Sequence, residues 1–329
     1  MNKKRKEYIE ACELSEMVTF RLGGIDQKVL IEGKSAGNPI VIFLHGGPGT
    51  PIPFGAGCRG LFPDLTEKAT FVFWDQWGCG INNCKPEEVP SIDGYVDMTV
   101  DLIRAVSERF PQNRISLFGV SWGSYLAARA ARIIPERISS VFTYGQIVSN
   151  LVFNDETLGA LAHSSLPDEK KEQLRGIAAK SEHSLEEIAA VMKWLMKYTD
   201  GGQSKDDKMP VGRTIWGLLT SPDYSFADFK AIMVNGAVKS KTLMPELIRC
   251  DLREDLRHVQ VPYLILQGER DLVTPFALVK KLADESGNPN LRFVPVPGSS
   301  HRPGSKGMDA VISEGFSFLM ESETTSVRE

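Results

Sequence analysis

Several things are missing from this 329-residue chain, and each absence removes a class of function. No run of about 18 apolar residues occurs, so no segment is expected to cross a membrane as a helix. Behind the basic cluster Lys3-Lys4-Arg5-Lys6 comes Glu7-Tyr8-Ile9-Glu10 instead of the apolar core of a signal peptide. The cytoplasm is therefore the expected location, and the cluster reads as a solvated end. Cysteine is scarce: Cys12, Cys58, Cys79, Cys84 and Cys250 are odd in number and lack C-x-x-C spacing, so reduced thiols are expected. Cys79, in a glycine-rich loop, is the one to watch for reactivity. The histidines form no H-E-x-x-H or H-x-x-x-H pair, so neither a metal nor any other cofactor is expected. A formal net charge of -4 gives nucleic acid or an anionic membrane no electrostatic attraction. That leaves a small molecule as the expected partner, with a homo-oligomer open.

What is present is apolar residue in quantity. At 42% hydrophobic, a chain of this length can bury a large core, and its size suits one α/β domain with an insertion. Residues 17–22 and 28–32 read as antiparallel leading strands. Residues 40–44, 70–74, 114–118 and 139–144 are continuous apolar runs of the kind buried in parallel sheets, with helices expected over 98–109 and 122–133. From about residue 147 to 249 the strands stop. There Ser184-Leu185-Glu186-Glu187 is a capping box before a helix over 188–198 that Gly201-Gly202 ends, and Ser225-Phe226-Ala227-Asp228 opens another that Asn235-Gly236 ends. Residues 201–208, rich in Gly, Ser, Lys and Asp, are expected to be a mobile surface loop. Alternation resumes at Val261, with strands over 263–267 and 291–296. The expectation is an α/β fold: a mostly parallel eight-stranded sheet with helices on both faces, its core formed by residues 1–146 and 251–329. Residues 147–250 would be an inserted helical cap. Because both flanking strands end on the catalytic face of such a sheet, the cap reads as a lid.

The chemistry is carried by turns at strand ends. Gly119-Val120-Ser121-Trp122-Gly123 follows an apolar run and opens an alanine-rich helical stretch, which is the context of a nucleophile elbow: a sharp turn that holds a serine hydroxyl at its tip. His45-Gly46-Gly47-Pro48-Gly49 follows the strand over 40–44, and its side-chain-free backbone can face a developing alkoxide. Gly47 and Trp122 are therefore the expected oxyanion donors. Asp271, in the loop beyond the strand at 263–267, is the candidate acid, with Glu269 as runner-up. His301, after the strand at 291–296, is the candidate base. Among the other histidines, His45 reads as a hydrogen-bonder that shapes its loop, while His163, His183 and His258 lie outside any loop that follows an acid-bearing strand end. The order Ser121, Asp271, His301 separates this arrangement from the two other common triad orders.

With His45-Gly46-Gly47-Pro48-Gly49, Asp75-Gln76-Trp77-Gly78-Cys79-Gly80 and Gly119-Val120-Ser121-Trp122-Gly123-Ser124 together, the chain resembles the prolyl aminopeptidase (proline iminopeptidase) family of α/β hydrolases over about residues 15–145 and 258–320. The resemblance implies a capped, mostly parallel sheet, with Ser121, Asp271 and His301 as the triad and Gly47 and Trp122 as oxyanion donors. Two departures stand out. Trp77 follows the Asp-Gln pair where the family usually has arginine. Gly217 follows Trp216 where the family's cap supplies a glutamate that binds the substrate's ammonium group. A desolvated ammonium without an anionic partner is costly, and the other cap acids, Glu156, Asp223 and Glu246, have nothing local to recommend them. The expected activity is accordingly a cofactor-free serine hydrolysis of a neutral carboxylic ester or lactone, bulky macrolactones included, with Trp77 and Trp216 as candidate apolar walls. The alternative is an aminopeptidase releasing N-terminal proline or small residues. Further removed are a non-catalytic binding protein on the same fold, and haloperoxidase or C–C hydrolase chemistry on the same triad.

Overall fold

The computed structural model describes residues 3–51 and 57–326. Its strands are β1 Leu14–Leu22, β2 Ile25–Gly33, β3 Ile40–Leu44, β4 Thr70–Phe73, β5 Ile115–Val120, β6 Ser140–Tyr144, β7 Tyr263–Gly268 and β8 Leu291–Val296. They are hydrogen-bonded in the order β1-β2-β4-β3-β5-β6-β7-β8. β1 and β2 form an antiparallel hairpin turned at Gly23-Gly24, both at positive φ, and β2 runs antiparallel to β4. β3 is parallel to β4 and β5, and β7 is parallel to β8. The crossovers are helical, as parallel neighbours require. Ile92–Arg109 leads into β5 and Trp122–Ile133 leads towards β6. Every residue of β3, β4 and β6 is buried, which is why these strands read as unbroken apolar runs and not as alternating ones.

The chain forms two compact units: residues 1–141 with 210–240, and residues 142–209 with 241–329. β6 passes from one to the other. At its start Ser139 N–H donates to Ile115 O at 2.7 Å, and the Ser116 and Ser140 hydroxyls meet at 2.8 Å. Beyond its end Gly145 N–H donates to Leu266 O at 3.3 Å. Among the described residues no strand lies between β6 and β7. The helices there include Asp155–His163, Asp168–Ala178, Leu185–Tyr198, Gly212–Leu219, Phe226–Met233, Gly236–Lys239 and Leu243–Ile248. No helix among the described residues is long and apolar enough to cross a membrane.

Both expected capping boxes form, Ser184 with Glu187 and Ser225 with Asp228. Asn235-Gly236 does more than stop a helix. Asn235 is extended (φ -142°) and its Oδ1 accepts from Val238 N–H at 3.0 Å, so it starts the next helix. In the second unit, Val152, Leu161, Leu174, Val191, Trp194 and Leu195 pack around Val273, next to Leu272. The loop over 201–208, expected to be a mobile surface loop, is held by tertiary hydrogen bonds at Gly201, Gly202 and Asp207, while Lys205, Asp206 and Lys208 are exposed. Gly201 O accepts from the backbone N–H groups of Leu272 and His301, at 3.3 and 3.1 Å, and Gly202 O accepts from Arg302 N–H at 2.9 Å. Asp207 accepts from Gly307 N–H at 3.2 Å. Tertiary partners use the backbone groups that a polar composition would leave to water.

The basic cluster near residue 3 is also more than a solvated end. Lys3, Lys4 and Lys6 are exposed on the helix Lys3–Glu10, but Arg5 is buried. Its guanidinium donates to Arg59 O and Gly217 O, both at 2.7 Å, and approaches Cys58 Sγ at 2.9 Å. One cation therefore ties helix Lys3–Glu10 to the helix Gly212–Leu219. Removing it takes the short donor from Arg59 O and leaves Gly217 O only the longer contacts to Thr220 Oγ1 and Cys58 Sγ, so Arg5→Ala is expected to lower the unfolding free energy by roughly 2 kcal/mol in urea titrations. Lys4→Ala should change it by less than about 0.5 kcal/mol. Equal, small effects would remove the anchor role.

Candidate active site

At the end of β5 the chain turns through Ser121, at φ 51° and ψ -116°, directly into the helix Trp122–Ile133. A non-glycine residue in this region is strained, and such strain persists only where the surroundings enforce it. The enforcing contacts are backbone. A Cβ at Gly123 would lie 1.8 Å from Leu44 O, and one at Gly119 would lie 2.6 Å from Gly123 O. Ser121 stands at the N-cap position but its side chain makes no capping bond, while its carbonyl accepts from Ser124 N–H at 2.8 Å and Ser124 Oγ at 2.6 Å.

The glycine loop after β3 lies against this turn. A Cβ on Gly46 would be 3.2 Å from Val120 O and 3.4 Å from Ser121 Cβ, and Gly47 is at φ 124°. His45 fills the expected shaping role. It is buried, its Nδ1–H donates to Gly46 O at 2.9 Å, and its Nε2 accepts from Gln76 N–H at 3.1 Å. Burial pushes the His45 imidazole down to about 4, so it stays neutral and keeps both bonds.

Gln76, within the motif Asp75-Gln76-Trp77-Gly78-Cys79-Gly80, has a task that its residue type alone does not announce. Its Nε2 donates to His45 O at 3.1 Å and its Oε1 accepts from the Trp122 indole at 2.7 Å. One amide thus fixes both segments expected to supply oxyanion donors. Trp122 is held further by Tyr95 edge-on at 5.6 Å and Tyr125 stacked at 5.5 Å. Asp75, next in line, is buried and accepts from Gly57 N–H and Ile81 N–H, each at 3.0 Å, and from Tyr224 OH at 2.5 Å. Burial nevertheless raises its pKa.

The second unit brings the other two candidates together. Asp271 is fully buried and its Oδ2 accepts from His301 Nδ1–H at 2.9 Å. The carboxylate also accepts from Val273 N–H at 2.8 Å, Thr274 N–H at 3.0 Å, Thr274 Oγ1 at 2.8 Å and Gln267 Nε2 at 3.0 Å. A carboxylate so loaded with donors is a fixed acceptor. It selects the His301 tautomer that leaves Nε2 with its lone pair. His301 N–H is pinned to Gly201 O, and its ring sits 3.2 Å from where a Cβ of Gly145 would be. Glu269, the runner-up acid, is exposed and accepts from Gly298 N–H at 3.0 Å. His163 and His258 bond to carbonyls of their own helices, and His183 stacks on Phe153 at 3.7 Å.

The remaining candidates are less engaged. Trp77 is half-buried; its indole donates to Glu88 O at 3.2 Å and its carbonyl accepts from Tyr95 OH at 2.6 Å. Trp216 is 65% exposed. At Gly217 a Cβ would meet Leu61 Cδ1 at 2.3 Å, with Arg5 Nη1 at 3.7 Å, so a glutamate here would run into a packed leucine beside a cation. Cys79, the thiol to watch, is fully buried 3.5 Å from His45 Nε2, and burial raises its pKa well above the ordinary thiol value, which disfavours the thiolate that a reactive cysteine needs. Among the described residues no group of three or more His, Cys, Asp and Glu could hold a metal.

The neutral His45 has a pH signature. Unfolded, it takes up a proton near 6.5; folded, only near about 4, so acid favours the unfolded chain. Its contribution is complete above pH 6.5 and falls by about 1.4 kcal/mol per pH unit towards 4. His45→Gln lacks this loss. Between pH 7 and pH 5 its stability in urea titrations is expected to fall about 2 kcal/mol less than that of the wild type. Parallel profiles would refute the buried neutral imidazole.

A family model described as the alpha/beta hydrolase fold matches residues 39–303. A Bacillus subtilis protein named as probable aminopeptidase YbaC is 25% identical over 304 residues, covering 89% of this chain and 93% of that one. Among solved structures, VinJ gives a TM-score of 0.66 at 23% identity, over 94% of this chain and 99% of that one. The proline iminopeptidase of Mycobacterium smegmatis gives 0.64 at 19%, over 94% and 100%. At those identities the structural likeness is one of fold. The family match runs from the edge of β3, which delivers the glycine loop, to the loop that carries His301, and this chain therefore belongs to the alpha/beta hydrolase family.

Proposed function

We propose that the chain is a serine hydrolase in which Ser121 attacks a carbonyl, His301 Nε2 takes its proton, and Asp271 orients and stabilises the imidazolium. The observation that carries this reading is Ser121, held at φ 51° between two glycines that admit no Cβ. In the mechanism Gly47 N–H and Trp122 N–H bind the tetrahedral oxyanion, each worth about 3 kcal/mol in the transition state. His301 then protonates the leaving group, and water repeats the cycle on the acyl-enzyme. Ser121→Ala is expected to abolish both turnover and labelling by a fluorophosphonate. His301→Ala should cost at least about 10²-fold in kcat, and a variant that kept a tenth of the activity would rule His301 out as the base.

For the bond cleaved, we infer an aminopeptidase. The support is a relative named as an aminopeptidase that matches along 89% of the chain. A neutral ester or lactone is the second reading, favoured by the cap acids. Gly217 offers no carboxylate, Asp223 is bound to Arg59, and Glu156 bonds Ala277 N–H. kcat/KM for a prolyl anilide, its N-acetylated form and a matched neutral ester separates the two. The aminopeptidase reading expects the free amine to be preferred by at least about tenfold, as a several-kcal/mol charge-assisted contact implies. An acetylated substrate cleaved as well as the free one, with the ester faster than both, would establish the second reading instead.

A further inference from the structure

We propose that Asn235 is a positioning residue for the oxyanion loop, acting through the Gly49 carbonyl; this rests on the serine-hydrolase reading of Ser121. Asn235 is buried, and its two amide atoms do different work. Oδ1 caps the helix Gly236–Lys239. Nδ2 donates to Gly49 O at 2.8 Å, 186 residues away in sequence and within the glycine loop itself. The two residues that follow reach the same side of the unit, with Gly236 N–H donating to Asn83 Oδ1 and Ala237 N–H to Gly78 O, both at 3.1 Å. Packing is equally close. A Cβ on Gly49 would lie 2.7 Å from Asn235 Oδ1 and 3.0 Å from Ala237 Cβ.

The loop needs such a hold. Three of its five residues are glycine, the least conformationally restrained residue, and Gly47 and Gly49 sit at φ 124° and 76°. The direction of Gly47 N–H is set by the groups that fix its neighbours. His45 and Gln76 fix the start of the loop, Thr50 N–H holds Gly46 O at 3.1 Å, and Asn235 fixes the end. A helix cap alone would not require asparagine, because serine and aspartate cap comparably. What asparagine adds is the N–H donor, and that donor points at the loop.

This difference separates a positioning role from a structural one. Asn235→Asp keeps the cap and turns the donor into an acceptor facing Gly49 O; Asn235→Ser keeps the cap and removes the donor. Both should lower kcat about ten- to a hundredfold, the range of a misaimed catalytic group, with KM within about threefold. Fluorophosphonate labelling of Ser121 should slow in parallel, because its phosphoryl oxygen occupies the same hole. The thermal midpoint of the serine variant should stay within a few degrees of the wild type, which marks the loss as catalytic. Should wild type and both variants label and turn over within twofold of one another, the role of Asn235 is overturned while Ser121 keeps its own. A wild type that does not label at all overturns the reading of Ser121, and this role with it.

Discussion

Backbone crowding where β3 and β5 end governs the candidate site in the first unit. Leu44 O occupies the place where a side chain on Gly123 would begin, and Gly123 O crowds Gly119 in turn. Any residue larger than glycine at either position would push the strand ends apart. With both glycines present, the only way on from β5 is a turn tight enough to leave Ser121 in a conformation that L-residues rarely hold. The same closeness sets the glycine loop after β3 against the serine, so the candidate nucleophile and a candidate anion-binding backbone follow from one steric fact.

Polar groups then stiffen what sterics brought together. Gln76 joins His45 to Trp122, Asp75 holds the segments around Gly57 and Ile81, and Asn82 bonds Asp75 O at 2.7 Å. Buried polar networks are costly when any member is unmatched, and here the Asp75 carboxylate accepts three donors. In the second unit Asp271 plays the corresponding part by accepting from backbone and side chains at once. The two units thus hold different chemistry. The first carries the candidate nucleophile and the candidate anion-binding backbone, and the second carries the candidate acid–base pair.

Residues 40–44 were legible because every residue of β3 is buried, and residues 291–296 matched β8 to the residue although only Val296 is buried there. The helix Ile92–Arg109 begins six residues before its expected start, because Gly94 in its first turn masks the signal that Ser91 gives as the N-cap. Asp271 and His301 could be named from chain order and loop position, and they meet. The partners of Gln76, Asn235 and Arg5 are not legible in the sequence, since each works through backbone carbonyls distant in sequence. The tertiary ties of the loop 201–208 are hidden from its composition for the same reason. Its composition describes the side chains, whereas the carbonyls of Gly201 and Gly202 do the binding.

The path of the chain between its units bears on how such proteins diversify. Residues 210–240 are folded with the N-terminal unit through Arg5, Arg59, Asp75, Asn83 and Gly49, yet they are threaded through the middle of sequence that belongs to the other. A helical insert of this kind is not a detachable cassette. Grafting residues 147–250 into a related core would bring Asn235, Tyr224 and Asp223 to a surface without their partners. Exchange of substrate preference by recombination would have to carry a scattered set of N-terminal residues along with the insert, whereas point substitution within it leaves those ties in place.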